Sequence, residues 1–493
     1  MDRGIYLCCV IAFVIKTTVA NFCTIRNDDN CFYTVDCDDP SRINIVPYCN
    51  YTDPYITLII NESPVHNVTA NLFNTKFDAY VRILTAVGNG WYVVQNNAFS
   101  NFKNVLYMDL SDNHIKELDN AFFGLDQLDS LNLSRNFLEE LKAEVFLLSE
   151  LKTKLSMLDL SYNLLTYLPD DFFVYMYNVK KLYLQGNHLT TLGDQNSANL
   201  KNLYYLNLCC SNYTRLNITL EYFTNLKELD LSFNKLKNIE NYEVKSLKNI
   251  ILSHNIFNEV VFDEFEQFPN LQELDLSYNK VKKLHSSTNP QNANGTKPMI
   301  KLYLNNNNIN KLDETFFINF GYIQLLNLSS NGLKNIANGT FKHVKILKVL
   351  NLSNTGLNII NNETFLGLEN TKIIDISQNN LNELDPRFFM KCNKLETIAA
   401  DFNNLMTVDI NLFMDLVPSL ARITLEGNPM TPTMFPVMSK ATSSLLQMVL
   451  VLIELIKTTC VLLFIILFSL LGIVLLLMYT RARARQRVTY VML

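Results

Sequence analysis

Ten cysteines are the residues best suited to chemistry in this 493-residue chain. Cys23, Cys31, Cys37 and Cys49 crowd one short stretch, Cys209 and Cys210 are adjacent, and Cys392 stands alone. Four cysteines at close spacing point to a disulfide framework, with three pairings that the sequence leaves open. Cys209 and Cys210 read as two thiols, as a vicinal disulfide, or as a bridge to another chain. Cys8, Cys9 and Cys460 lie in apolar terminal segments, and setting them aside leaves seven, an odd number that favours the bridge. Little else is suited to catalysis. Six histidines provide little material for metal ligation or acid-base work. There is no glycine-rich phosphate loop, no metal-ligand spacing and no nucleophile beside a plausible base. The residues therefore predict neither an enzyme nor a cofactor, and a net charge of -5 argues against a nucleic-acid partner.

The elements that position these residues follow from a repeat. The template L-x-x-L-x-L-x-x-N-x-L is met in full by Leu128, Leu131, Leu133, Asn136 and Leu138, and again by Leu155, Leu158, Leu160, Asn163 and Leu165. Its asparagine column runs through Asn89, Asn113, Asn136, Asn163, Asn187, Asn234, Asn255, Asn279, Asn307, Asn331, Asn379, Asn403 and Asn428. Ser63, Ser211 and Thr355 fill the same column elsewhere, giving about sixteen units of roughly 24 residues, the period of a leucine-rich repeat. Alternating inward leucines predict a strand buried on one face. The asparagine turns inward after it to bond backbone groups of adjacent coils. Phenylalanines such as Phe122, Phe341 and Phe365 fill the outer side of the coil, and Cys392 falls in a column shared with Leu125, Phe268 and Phe320. One coil cannot stand alone, so coils must stack. The expected fold is an α/β solenoid, a horseshoe whose concave face is a parallel sheet.

The two ends read differently. Residues 1–20 have the form of a secretory signal, with Arg3, an apolar run from Ile5 to Ile15, and small residues at Thr18-Val19-Ala20. Residues 21–54 carry the four clustered cysteines as an amino-terminal cap, and 55–430 hold the repeats. Residues 431–457 read as a stalk with an apolar segment. Residues 458–479 are uncharged and, at about 1.5 Å per residue, span about 33 Å, enough for a membrane helix. Arg481, Arg483, Arg485 and Arg487 then predict a cytoplasmic tail over 480–493, so the expected location is the plasma membrane, single-pass type I with the ectodomain outside. That tail is too short for a folded signalling domain. Its end, Tyr490-Val491-Met492-Leu493, fits a sorting signal set by Tyr490 and Leu493, or a peptide that adds a strand to a PDZ domain.

Residues 55–430, behind a cysteine-bearing cap, resemble the extracellular leucine-rich repeat proteins. Together with the signal and the span, they are similar to Toll-like receptor ectodomains and insect leucine-rich-repeat immune and adhesion proteins. The resemblance implies a disulfide-bonded cap of Cys23, Cys31, Cys37 and Cys49, a concave binding face, and a disulfide-linked partner through Cys209 or Cys210. It implies a receptor or co-receptor in innate immune recognition without its own signalling domain. The alternatives are an adhesion or guidance molecule, and a decoy internalised through its tail. The implied partner is an extracellular protein or a microbial or glycan ligand, in a homo- or heterodimer where the bridge forms.

On the concave face, the column Asp109, Asn132, Asp159, Tyr183, Asn207, Asp230, Ile251, Asp275, Tyr303, Asn327, Asn351 and Asp375 is mostly acid or amide. Such residues are expected to satisfy neighbouring strands. Tyr183, Tyr204 and Tyr205, with Tyr162 nearby, are the candidate partner-binding residues, because aromatics concentrate at binding hot spots. Asn50, Asn67, Asn212, Asn217, Asn294, Asn338 and Asn362 head Asn-x-Ser/Thr sequons outside the strands and are the expected glycan sites, with Asn61 weakened by Pro64. Asn132, Asn327 and Asn351 meet the same pattern within the strand sequence L-N-L-S, where sugars would close part of the face.

Overall fold

The computed structural model describes residues 23–430 apart from 30–31, 38–54, 62, 64, 71, 74–77, 126, 143–144, 146–153, 175, 217, 240–243, 287–298 and 313–314. Among the described residues, one sheet of eighteen strands runs the length of the stack. Its first two strands, Cys23–Asp29 and Phe32–Cys37, form an antiparallel pair. Phe32–Cys37 then pairs in parallel with Tyr55–Ile60, and every later pairing in this sheet is parallel, through to Arg422–Thr424. Removing the antiparallel pair leaves sixteen strands, one for each repeat unit read from the sequence. Cys37 is disulfide-bonded, while Cys31 and Cys49 lie outside the described residues.

After Val81–Thr85 each strand of this sheet is three residues long, most with a buried central residue between part-exposed neighbours, as in Met157–Asp159 and Glu273–Asp275. Leu158 and Leu274 point inward, and Leu160 and Leu276 follow two residues on, also fully buried. The sheet therefore has one apolar face and one wet face, as period-2 alternation requires. Phe122, Phe341 and Phe365 are buried behind it, and Cys392 is buried among the apolar side chains of its column. Burial pushes the Cys392 thiol up to about 12, so it behaves as a small apolar residue.

The asparagine column does what its chemistry suggests. Asn163 donates through Nδ2 to Leu133 O of the preceding coil at 3.0 Å and to Leu160 O of its own coil at 3.1 Å, while Oδ1 accepts from Leu138 N at 3.1 Å. Asn136, Asn234 and Asn279 repeat the pattern. Where Ser211 and Thr355 replace asparagine, the hydroxyls donate within their own coil, to Cys209 O at 2.9 Å and Leu352 O at 2.8 Å.

A second ladder forms one residue earlier. The position before the asparagine has positive φ in coil after coil: Asp112, Arg135, Tyr162, Cys210, Phe233, His254 and Tyr278 lie between +52° and +60°, and Gly186 is at +70°. Left-handed backbone costs a non-glycine residue roughly 1–2 kcal/mol. Here each N–H donates to a carbonyl of the next coil, Tyr162 to Gln185 O at 2.7 Å and Cys210 to Ser232 O at 3.0 Å, so stacking stabilises the turn.

The expected placement in the plasma membrane as a single-pass type I protein is corrected here. Among the described residues no helix is long and apolar enough to cross a membrane. The α-helix Ile410–Leu416 has seven residues, about 10 Å of rise, a third of a bilayer's hydrocarbon thickness. Residues 458–479, where the span was expected, lie outside the described residues, as do 1–20 and 480–493.

Candidate functional site

The wet face of the sheet is built from the two flanking positions of each strand. Tyr183 closes the strand Lys181–Tyr183 and Tyr205 opens the next, Tyr205–Asn207. Their register is diagonal, Lys181 facing Tyr205 and Tyr183 facing Asn207, which brings the two rings to 5.1 Å between centroids at 45°. Such tilted contacts hold aromatic pairs together beyond simple burial. Asn207 Nδ2 donates to Tyr205 Oη at 3.1 Å, and Tyr204 Oη donates to Glu228 Oε1 at 3.3 Å. Tyr204 is 43% exposed, and Tyr183 and Tyr205 are half-buried. Burial and then the Asp230 charge push the Tyr205 phenol far above its ordinary value; burial, Asp159 and Glu228 do the same at Tyr183. Both remain neutral hydroxyls.

Tyr162 reaches the same region by a different route, from the positive-φ turn. Its ring lies across Gly186, where an added Cβ would sit 2.4 Å from Tyr162 Cδ1. The glycine thus opens a slot through which Tyr162 crosses one coil toward Cys210 in the coil beyond. The Arg135 guanidinium stands 4.9 Å from the ring centroid on the other side. Burial, followed by the neighbouring cysteines, pushes the Tyr162 hydroxyl up to about 12.

Cys209 and Cys210 end the strand segment beside this patch. Both are unbridged and half-buried, with their sulfurs 2.9 Å apart. Asn207, whose amide nitrogen holds Tyr205, accepts at Oδ1 from Cys209 N at 3.0 Å. Tyr183, Tyr205, Asn207 and Cys209 are thus joined by direct contacts, while Tyr204 turns to Glu228 and Tyr162 lies against Gly186 and Arg135.

The acid and amide column is structural, though in a different way from that expected. Asp159 Oδ1 accepts from Ser161 N at 2.9 Å, and Asp230 and Asp375 do the same for Ser232 and Ser377. Asn132, Asn327 and Asn351 bond Ser134, Ser329 and Ser353 in the same manner. These side chains cap their own turn two residues on, not the neighbouring strand. Burial holds the Asp159, Asp230 and Asp375 carboxyls above the usual carboxylate range.

One aromatic group escaped the sequence reading. Phe233, His254 and Tyr278 occupy the positive-φ turn of three successive coils and stack face to face, at 4.0 and 4.3 Å between centroids and 9° between planes. Phe233 is 51% and Tyr278 48% exposed. The signal was present in the residue before each template asparagine, a column that looks unconstrained until its φ is known. Burial between the rings holds His254 below the ordinary imidazole value, with Asp275 opposing.

Among the expected glycan sites, Asn67, Asn212, Asn338 and Asn362 are exposed, and Asn338 accepts at Oδ1 from Asn361 Nδ2 at 2.9 Å. Asn50, Asn217 and Asn294 lie outside the described residues, as do Tyr490 and Leu493.

Comparison with known proteins is consistent with this geometry. Fibromodulin of Gallus gallus is 32% identical over 148 residues, covering 30% of this chain and 37% of its own length, so the match spans little more than a third of that relative. A leucine-rich repeat protein of Leptospira interrogans superposes with a TM-score of 0.56 at 26% identity, covering 72% of this chain and 92% of that one. Drosophila Toll, in its complex with Spatzle, gives a TM-score of 0.59 at 17% identity, over 83% of this chain and 56% of that one, a likeness of fold. The leucine rich repeat family model matches residues 80–152, 153–208, 224–281, 298–357, 322–381 and 345–405, more than half of the sequence. By that match and the stacked coils that realise it, this chain belongs to the leucine-rich repeat family, a class of non-enzymatic interaction scaffolds.

Proposed function

We propose that this protein is a recognition scaffold that binds a protein ligand across the wet face of its sheet, through Tyr162, Tyr183, Tyr204 and Tyr205. The observation that carries the reading is the Tyr183–Tyr205 ring pair on adjacent coils, half-exposed and held by Asn207, with the exposed Tyr204 on Glu228. Ordered tyrosines present a large apolar area and a hydrogen-bonding tip with little conformational entropy left to lose, the composition of binding hot spots. A receptor or co-receptor role in innate immune recognition is the more specific form of this proposal. Adhesion is the competing form, and cell-aggregation assays with the purified protein distinguish the two.

The test is affinity capture of partners from extracellular fluid with the tagged protein, followed by titration of the captured partner against the Tyr183→Ala/Tyr205→Ala double variant. Hot-spot truncation costs about 2 kcal/mol or more, so the double variant is expected to bind roughly 30-fold more weakly or worse. Its fold should persist, since the buried strand residues Leu182 and Leu206 are untouched. Undiminished affinity in a folded double variant would remove this patch from consideration.

A further inference from the structure

We propose that Cys209 and Cys210 are a redox-modification site, a vicinal dithiol that a peroxide-class oxidant closes into an intrachain disulfide. Nine of the other fifteen coils place Ser-x at this point, as in Ser111-Asp112, Ser134-Arg135, Ser161-Tyr162 and Ser232-Phe233, whereas this coil places two thiols side by side. Their sulfurs stand 2.9 Å apart and face each other; a disulfide needs about 2.05 Å, an approach of less than about 1 Å. The backbone around them is clamped from both sides. Cys209 N donates to Asn207 Oδ1 at 3.0 Å, Cys210 N to Ser232 O at 3.0 Å, and Ser211 Oγ to Cys209 O at 2.9 Å.

The two thiols are not equivalent. Contact with the Cys209 sulfur, 2.9 Å away, holds the Cys210 thiol below its ordinary value, and the Tyr162 hydroxyl acts in the same direction. The same contact, and then burial, holds the Cys209 thiol above its ordinary value. The facing charged and titratable groups are Tyr162 and, behind it, Arg135 from the preceding coils, Tyr205 beside Cys209, and Asp230 from the following coil, which opposes ionisation. Cys210 is therefore the nucleophile and Cys209 the resolving thiol. The Cys210 thiolate attacks one peroxide oxygen; the S–O bond forms, the O–O bond breaks and hydroxide leaves, giving a sulfenic acid. Cys209 then attacks that sulfur, the S–S bond forms, and the sulfenic oxygen departs as water with the Cys209 proton. Two thiols are oxidised by two electrons, and one hydrogen peroxide becomes two waters. The site does not depend on whether the tyrosine patch binds a partner.

The full chain, treated with a mild reductant that spares the Cys37 disulfide and then desalted, is exposed to stoichiometric hydrogen peroxide and mapped by peptide mass. The expected product is a monomer whose Cys209-Cys210 peptide has lost two hydrogens, with Cys392 still a thiol. In Cys209→Ser the reaction is expected to stop at a Cys210 sulfenic acid that dimedone traps. Before oxidation, Cys210 should alkylate at lower pH than an ordinary thiol, and Tyr162→Phe, which keeps the ring across Gly186, should reduce that advantage. Two thiols that remain alkylatable after peroxide, or a disulfide-linked dimer in place of the monomer, would each overturn the proposal.

Discussion

The asparagine that ends each strand shows how a single side chain can hold two coils. Asn163 serves three carbonyls, Leu133, Leu160 and Ser161, and one N–H, Leu138, all inside the stack. Asn163→Ala leaves these groups unpaired away from water, so it should cost about 2–3 kcal/mol. Asn163→Ser should cost less, because Ser211 shows that a hydroxyl at this position can still serve a carbonyl of its own coil. Urea denaturation midpoints of the two variants measure the difference, and equal losses would show that the amide's reach to Leu133 contributes nothing. This role was legible in the sequence, since an amide recurring between inward leucines has few other uses. The role of Asp159 and its equivalents was legible only in part. A carboxylate next to a strand could bond along the sheet or back onto its own turn, and only the backbone path places Ser161 N within 2.9 Å.

The turn after each strand was not legible at all. Its left-handed backbone is normally marked by glycine, yet here Arg135, Tyr162, Cys210, Phe233, His254 and Tyr278 adopt it, held by the carbonyl of the following coil. With no recurring residue type to mark the column, neither the Phe233–His254–Tyr278 stack nor the Tyr162–Cys210 contact could be anticipated. Glycine does stand there at Gly88, Gly186 and Gly427, and two of these reveal the constraint. Gly88 and Gly186 share φ near +70°, but a Cβ at Gly88 meets nothing within 4 Å, whereas at Gly186 it collides with the Tyr162 ring. Gly88→Ala should therefore cost only the backbone term, about 1–2 kcal/mol. Gly186→Ala should cost that much and also displace Tyr162, returning the Cys210 thiol toward its ordinary value. Thermal denaturation paired with the alkylation pH profile separates the two effects. An unshifted profile in Gly186→Ala would mean that Tyr162 reaches Cys210 without needing the slot.

For the stack as a whole, periodicity carried most of the information. Sixteen units read from leucine and asparagine spacing correspond to sixteen strands because each coil obeys the same local rule and only its neighbours complete it. That linear dependence predicts how the molecule fails. Leu229 is buried at the centre of the strand Glu228–Asp230, paired on one side with Leu206 and on the other with Ile250. Leu229→Ala removes an isopropyl group that lies between both neighbouring coils and should cost about 2–5 kcal/mol locally. In a nearest-neighbour stack that loss is felt first by adjoining coils and fades with distance, because coils far away share no contact with the cavity. Hydrogen exchange should therefore accelerate at Tyr205–Asn207 and Asn249–Ile251 well before it changes at Tyr55–Ile60 or Arg422–Thr424. Equal acceleration along the whole sheet would mean that the coils unfold as a single unit, and the picture of independent neighbours would have to be abandoned.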